Sequence, residues 1–345
     1  MSGLKMMVAG AGALGRHHAR ILSSMDNVDL VAVADPCEDV GRAVAAAHGT
    51  AWIADFREAI DQIDAVSVVV PTCLHVEVAA EFLSRGIPAL VEKPLAGSAA
   101  DASRLVQLAA ENAAILQVGH VERFNPAMVS ARKRSGPPKY IRAERMSPFP
   151  FRSTDIGVVH DLLIHDIDLV LDLVRSEVRE VQAFGVSLMS SLEDIVNARL
   201  TFDNGCIVDL TASRLHPVAK REMQIWSGIG CVNVDFQNRS VTSYAPGACL
   251  RFGRSPVELA GEPGADVEQL RQDVFGRFIQ IEEPNIPETD ALTDELAEFV
   301  SCVRDGQTPS CGGTQALAAL EVADRILDAV ATHSWGTSYQ LRDVA

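Results

Sequence analysis

Apolar runs and helix-like stretches alternate through the first third of the chain. Leu4 to Ala9, Val28 to Ala34, Ala65 to Val70, Ala89 to Val91 and Ile115 to Val118 are almost continuous in apolar character. Such runs, lacking polar alternation, suit strands buried on both faces, and the amphipathic stretches between them supply the crossovers of a parallel sheet. Residues 1–122 are therefore expected to form a doubly wound α/β domain of Rossmann type. Asp55 is placed as an N-cap before Phe56 to Ile60, and Gly86 followed by Pro88 ends the helix that starts near His75.

From residue 123 to 345 the rhythm changes to that of an α+β domain. A loop at Gly136-Pro137-Pro138 precedes a strand-like run from Lys139 to Met146, and one helix is predicted from about Asp155 to Val174. Strands are predicted over Val181 to Met189, Val196 to Phe202, Cys206 to Thr211, Glu222 to Trp226 and Cys231 to Phe236. Turns such as Asp203-Asn204-Gly205 suggest mostly antiparallel pairing in a large open sheet. Pro246 to Gly264 reads as a long loop. Helices over Asp290 to Arg304 and Thr314 to Thr332 close the chain and are free to pack back on the first domain.

Composition narrows the function. The 345 residues, 48% hydrophobic and 22% charged, suit a folded two-domain protein. A net charge of -16 argues against nucleic acid and anionic membrane as partners. Seven widely spaced cysteines without a C-x-x-C pair fit a reduced compartment and read as small buried hydrophobes. No run approaches the roughly 18 apolar residues of a membrane span, and the apolar start from Met6 to Leu14 reads as a folded strand. The expected location is the cytoplasm.

Gly10-Ala11-Gly12-Ala13-Leu14-Gly15 lies between the first strand and a helix. There the first two glycines let backbone N–H groups approach a pyrophosphate, and the third permits close helix–strand packing. Asp35, 20 residues past Gly15, ends the second run at the spacing of a carboxylate that meets ribose hydroxyls. No Arg or Lys occurs in Asp35-Pro36-Cys37-Glu38, so NAD is expected rather than NADP. The expected cofactor contacts are Gly10, Gly12, Ala13, Leu14, Gly15, Asp35, Pro71, Thr72, His75, Glu92 and Lys93.

Two further segments carry candidate chemistry. Glu92-Lys93-Pro94 follows the run Ala89 to Val91 at the carboxyl edge where open α/β sheets bind ligands; taken alone, it is a solvated loop. In the segment His160 to Asp168, a regular helix places Asp161, His165 and Asp168 on one stripe. The same geometry sets His160 and His165 about 140° apart, so they cannot grip one metal as HExxH does, and no metal is expected. A polar helix face with a satisfied histidine is the plainer reading of this segment alone.

Together these pieces resemble the Gfo/Idh/MocA family. The resemblance rests on Gly10 to His18, Glu92-Lys93-Pro94, Gly119-His120-x-x-Arg123-Phe124-Asn125-Pro126 and Asp161-x-x-x-His165-Asp166-x-Asp168. It implies that Lys93 orients nicotinamide and substrate, that His165 takes the hydroxyl proton, and that Asp161 supports His165, while NAD accepts the hydride. It further implies a sugar or related alcohol as substrate, with Arg123, Phe124, Asn125, Arg145, Arg152, Asp161, His165 and Arg214 as the expected substrate contacts, and a homodimer or homotetramer. Arg152 to Val159, together with Lys220-Arg221-x-Met223 and Val234-Asp235-Phe236, looks like the UDP-N-acetylglucosamine 3-dehydrogenase branch. In that branch a partner aminotransferase consumes the ketone for lipid A synthesis. An inositol or free-sugar dehydrogenase and a non-catalytic NAD-sensing regulator are the alternatives.

Charge distribution bears on that choice. Between residues 132 and 152 stand seven basic residues (Arg132, Lys133, Arg134, Lys139, Arg142, Arg145 and Arg152) and one acid, Glu144. With Arg214, Lys220 and Arg221, they are expected to neutralise a diphosphate; a solvated basic loop and strand edge is the competing reading.

Overall fold

The computed structural model describes residues 3–149, 151, 156–189 and 191–335. The first sheet comprises β1 (Leu4–Ala9), β2 (Val28–Ala34), β3 (Ala51–Ile53), β4 (Ala65–Val68), β5 (Ala89–Glu92) and β6 (Leu116–Gly119). All pair in parallel, in the order β3-β2-β1-β4-β5-β6. Strand order reverses between β1 and β4, which opens a crevice at their carboxyl ends. Met6, Met7, Val8, Val66, Val68, Leu90 and Val91 have no exposed surface, the burial expected of strands covered on both faces. Asp55 caps a 3₁₀ turn over Phe56–Gln62, reciprocated by Glu58. Of these six strands only β3 has no counterpart among the sequence predictions, since three residues are too few to show a period.

The second sheet contains β7 (Pro138–Met146), β8 (Val178–Val186), β9 (Ile195–Phe202), β10 (Ile207–Ser213), β11 (Lys220–Ser227), β12 (Gly230–Asp235), β13 (Ser240–Pro246) and β14 (Ile279–Glu282). Their order is β14-β13-β12-β11-β7-β10-β9-β8. Pairing is antiparallel except between β7 and β10. Along β7, Ile141, Ala143 and Arg145 are buried on one face, whereas Tyr140, Arg142 and Glu144 alternate onto the other. That other face also carries Phe184, Trp226 and Ile281, each 42–48% exposed.

Three predicted boundaries move, each for a local reason. The strand expected over Val181 to Met189 ends at Val186, because Asp194 Oδ2 accepts from the N–H groups of Leu188 and Met189 at 2.6 Å each. The helix expected from Asp155 starts as a π-helical turn over Val159–Leu163 and becomes an α-helix over Ile164–Val174. Glu193 holds that start: its carboxylate accepts from Val159 N at 3.1 Å and its carbonyl from Val158 N at 3.0 Å. Within the stretch predicted as a loop, Ala248–Phe252 and Pro256–Ala260 form short helices.

The helix Ala291–Asp305 places Leu296, Phe299 and Val300 in one buried cluster with Met6, Val8, Ile21 and Leu22. The last helix, Gly313–Thr332, contacts β8, the helix Ala99–Glu111 and the helix Ile164–Val174. Both closing helices thus pack on the first domain. All seven cysteines are free, but Cys37, Cys73 and Cys249 are exposed, so the expectation of burial holds only for Cys206, Cys231, Cys302 and Cys311.

Candidate active site

A cleft of about 690 Å³ lies at the β1/β4 reversal, lined among others by Gly10, Gly12, Asp35, Phe56, Arg57, Val70 and Pro71. Gly10 has φ +101°, and a Cβ there would stand 2.4 Å from Val69 O. A Cβ on Gly15 would stand 1.9 Å from Gly10 O, whereas one on Gly12 would meet nothing within 4 Å. Two glycines thus close the loop on itself, and the third leaves its outer face open beside exposed Ala13 and Leu14 at the helix start. Asp35 accepts from Ala11 N at 2.7 Å and from Cys37 N at 2.8 Å, which fixes its carboxylate at the rim. An open amide face, a carboxylate at the rim and a long cleft between them fit a dinucleotide.

Arg57 enters this cleft from a segment remote from Asp35. Asp55 and Glu77 lie 3.2 and 3.3 Å from its guanidinium, and its Cζ stands 4.5 Å over the Phe56 ring. Pro71 is exposed and Thr72 half-buried at the start of a 3₁₀ turn. His75 corrects an expectation. Its ring is buried, with Nδ1 2.8 Å from Pro94 O and Nε2 3.0 Å from Val70 O. Both ring nitrogens thus face backbone carbonyls, one in the cofactor loop and one after β5, and the neutral ring donates to one of the two. Burial holds its pKa below the ordinary histidine value, against the pull of those two carbonyls.

Lys93 follows β5 and reaches across to the second domain. Its Nζ donates to the backbone carbonyl of Asp161 at 2.8 Å and lies 3.7 Å from Asp161 Oδ1. Glu92 beside it lies 3.2 Å from His18 Nε2, and His18 Nδ1 is 2.8 Å from Ser67 Oγ. These links anchor the end of β5, from which Lys93 projects. Helix Ala291–Asp305 adds Glu295, which has no exposed surface; burial and the nearby Glu92 push its carboxyl well above the usual range, toward the neutral acid.

His165 is half-buried on the helix that follows Asp161, and its Nδ1 is sealed without a hydrogen bond. Its pKa is pushed well down, first by desolvation and then by the positive charges of Lys93 and Arg145. It is accordingly a neutral imidazole at pH 7. Asp161, within the π turn, pairs with Lys93, and no hydrogen bond joins it to His165.

The expected substrate arginines are mostly scaffold. Arg123 forks Asp168 at 2.7 and 2.6 Å and donates to Ser310 O at 2.8 Å. Arg145 forks Asp166 at 3.0 and 2.8 Å and meets Glu122 at 2.8 Å. Arg214 binds Asp194 at 2.7 Å and Ile156 O at 2.9 Å. All three are buried, because a guanidinium inside a protein must meet a carboxylate. Asp166 and Asp168 flank His165 on its helix, so the two forks fix that helix on both sides of the histidine. Asn125 caps the helix Pro126–Arg132 through Ala127 N and also donates to Glu122 and Phe236 O. Phe124 faces a separate cavity of about 330 Å³ with Lys133, Arg134 and Asn285. Arg152 lies outside the described residues.

Much of the basic segment is matched in the same way. Arg132 pairs with Asp172, Arg142 with Glu144, and Lys220 with Glu144 and Glu222. Arg142 also stands on the sheet face opposite Arg145. His120 was not among the expected site residues, although it follows β6 at the same sheet edge, where Gly119 is in register with Glu92. A histidine preceded by glycine at a strand end was the available signal.

Two family models match the chain: an oxidoreductase family with an NAD-binding Rossmann fold over residues 4–120, and a GFO/IDH/MocA C-terminal domain over 128–228. UDP-N-acetylglucosamine 3-dehydrogenase of Acidithiobacillus ferrooxidans is 32% identical over 324 residues, 94% of this chain and 96% of that protein. A solved structure of that enzyme superposes with a TM-score of 0.83 at 31% identity, covering 96% of this chain and 98% of the other. The NAD⁺-dependent scyllo-inositol 2-dehydrogenase of Bacillus subtilis strain 168 is 28% identical over 338 residues, 92% of each chain. The glycine loop, the Lys93–Asp161 contact beside His165 and these matches agree, and the chain belongs to the Gfo/Idh/MocA family of oxidoreductases, with an NAD-binding Rossmann domain.

Proposed function

We propose that this protein is a UDP-N-acetylglucosamine 3-dehydrogenase that uses NAD⁺. The observation that carries a dehydrogenase reading is the meeting of the Lys93 ammonium with Asp161 beside a neutral His165, at the sheet edge next to the dinucleotide cleft. The likeness to the A. ferrooxidans enzyme over 94% of the chain supports the choice of substrate. When bound, NAD⁺ would supply the hydride acceptor for the oxidation of the carbinol. His165 removes the hydroxyl proton, and Lys93 stabilises the oxygen as its negative charge grows. Asp161 holds Lys93 in place, and Asp166 and Asp168 hold the His165 helix through their arginines. Gly10, Gly12, Ala13, Leu14, Gly15, Asp35, Pro71 and Thr72 shape the cofactor cleft. NAD is preferred to NADP because Asp35 occupies the rim and Asp55 and Glu77 match Arg57.

The ketone is consumed by an aminotransferase on the way to lipid A, and the reaction takes place in the cytoplasm. Among the described residues no helix is long and apolar enough to cross a membrane. Copies associate through the open sheet face that carries Phe184, Trp226 and Ile281. An uncharged inositol is the second reading, and the internal pairing of Arg145 and Arg214 favours it by removing two cations that a diphosphate was expected to meet.

Incubation with NAD⁺ and a panel of UDP-sugars and inositols, with a carbonyl trap to draw off the ketone, separates the two. Reduced cofactor with UDP-N-acetylglucosamine alone supports the first reading, and turnover of inositol alone the second. A tenfold preference for NADP in kcat/KM would contradict the cofactor assignment.

A further inference from the structure

Building on the proposed sugar oxidation, we propose that His120 is a specificity-determining residue whose Nε2 accepts a hydrogen bond from the hydroxyl next to the one that is oxidised; in UDP-N-acetylglucosamine this is the 4-hydroxyl.

The position comes from the strand order. Moving outward from the β1/β4 crevice, the sheet presents β4, then β5 with Lys93 at its end, then β6 with His120 at its end. Adjacent strands lie about 4.8 Å apart. His120 is therefore one strand beyond the lysine, on the side away from the dinucleotide cleft, where the rest of the sugar ring must lie. The dinucleotide reaches Lys93 first.

Its chemistry comes from the groups around the ring. His120 is 2% exposed, its Nδ1 is sealed without a hydrogen bond, and Asp168 Oδ2 lies 3.8 Å from that Nδ1. That carboxylate favours the tautomer with the proton on Nδ1 and the lone pair on Nε2, the nitrogen on the far side of the ring. Nε2 is not among the sealed atoms. Arg123 forks both Asp168 oxygens, so that carboxylate has a cation of its own beside the ring. Desolvation holds the His120 pKa down; Asp168 and Glu92 pull it up, and Arg123 and Lys93 push it down. The positive charges of Lys93 and Arg145 and the ring of His120 are all near enough to lower the His165 pKa. Since His165 serves as the base, the second neutral imidazole is available as an acceptor.

A metal role fails on the same geometry. His120, Asp168 and Cys311 present ligand atoms within 4.8 Å of one another, but the Arg123 guanidinium occupies both Asp168 oxygens and would repel a cation.

The test compares wild type, His120→Phe and His120→Gln on UDP-N-acetylglucosamine and its 4-deoxy analogue. The expected wild-type preference for the hydroxylated sugar is about 10- to 100-fold in kcat/KM. His120→Phe should lose that factor on the natural sugar, bring the ratio close to one, and bind NAD⁺ within about twofold of wild type, with His120→Gln between the two. A ratio unchanged in His120→Phe overturns the proposal, as does a loss confined to NAD⁺ affinity. If His120→Phe does not fold, His120→Gln decides by the same ratio. If wild type oxidises a different alcohol, the substrate assignment fails, and the comparison is made with that alcohol and its own neighbouring-deoxy analogue.

Discussion

Lys93 crosses from the first domain to the second and closes on Asp161 twice, through the backbone carbonyl at 2.8 Å and the side-chain Oδ1 at 3.7 Å. The shorter contact is to the peptide, so the π turn itself positions the ammonium and the carboxylate adds charge. Two substitutions separate these contributions. Lys93→Ala should lower kcat by at least about 10²-fold with NAD⁺ affinity retained, because it removes the cation at the developing alkoxide. Asp161→Asn keeps the carbonyl and should cost less, about tenfold. Steady-state kinetics with cofactor fluorescence titrations measure both, and near-normal turnover in Lys93→Ala would remove the lysine from the mechanism.

The same ammonium sets the pH profile. His165 is held well below the ordinary histidine value by desolvation first and Lys93 second. Only the neutral ring can take a proton, so kcat/KM should be level through neutral pH and fall on the acid side only below 6.5. In Lys93→Ala the second cause is gone, and the acid limb should move to higher pH. An acid limb that stays in place in this variant would show that the lysine charge does not reach the imidazole.

How legible these relationships were depended on their distance along the chain. Buried parallel strands write themselves as unbroken apolar runs, and Gly10 to Asp35 follows from local spacing, so the first domain and its cleft were readable. Lys93 and His165 could be singled out, but the partner of each charge could not. Arg123 lies 45 residues from Asp168, Arg145 lies 21 from Asp166, and Arg214 lies 20 from Asp194. A count of charges along residues 132–152 therefore could not show that Arg132, Arg142 and Arg145 meet carboxylates on folding. The Asp161–Lys93 pairing could not be read because its members lie 68 residues apart, and Glu193, which holds the π turn at Val159, lies 34 residues beyond it. Strands β13 and β14 were missed because the first alternates small polar residues and the second is four residues long.

The paired arginines lead to a contrast within β7. Arg145→Ala would leave Asp166 and Glu122 buried without their cation and should destabilise the fold by about 3–5 kcal/mol. Arg142, exposed on the opposite face, should change stability by less than about 0.5 kcal/mol when replaced by alanine and leave the substrate KM unchanged. Urea melts and kinetics on the two variants test this. A KM rise in Arg142→Ala would restore that residue to the substrate site.

Glycine substitutions distinguish folding from cofactor binding within one loop. At Gly15 an added Cβ falls 1.9 Å from Gly10 O, so Gly15→Ala must push strand and helix apart and should cost about 1–3 kcal/mol or more, with cofactor binding lost as a consequence. At Gly12 the added Cβ meets no protein atom within 4 Å and projects into the open side of the loop. Gly12→Ala should therefore keep the wild-type melting curve while weakening NAD⁺ binding by about tenfold or more, since the methyl occupies the approach that the pyrophosphate needs. Thermal melts with and without NAD⁺ read both effects. The apo curves should separate Gly15→Ala from wild type but not Gly12→Ala, and the ligand-induced rise should shrink in Gly12→Ala. An unchanged rise in Gly12→Ala would place the dinucleotide phosphates elsewhere in the cleft.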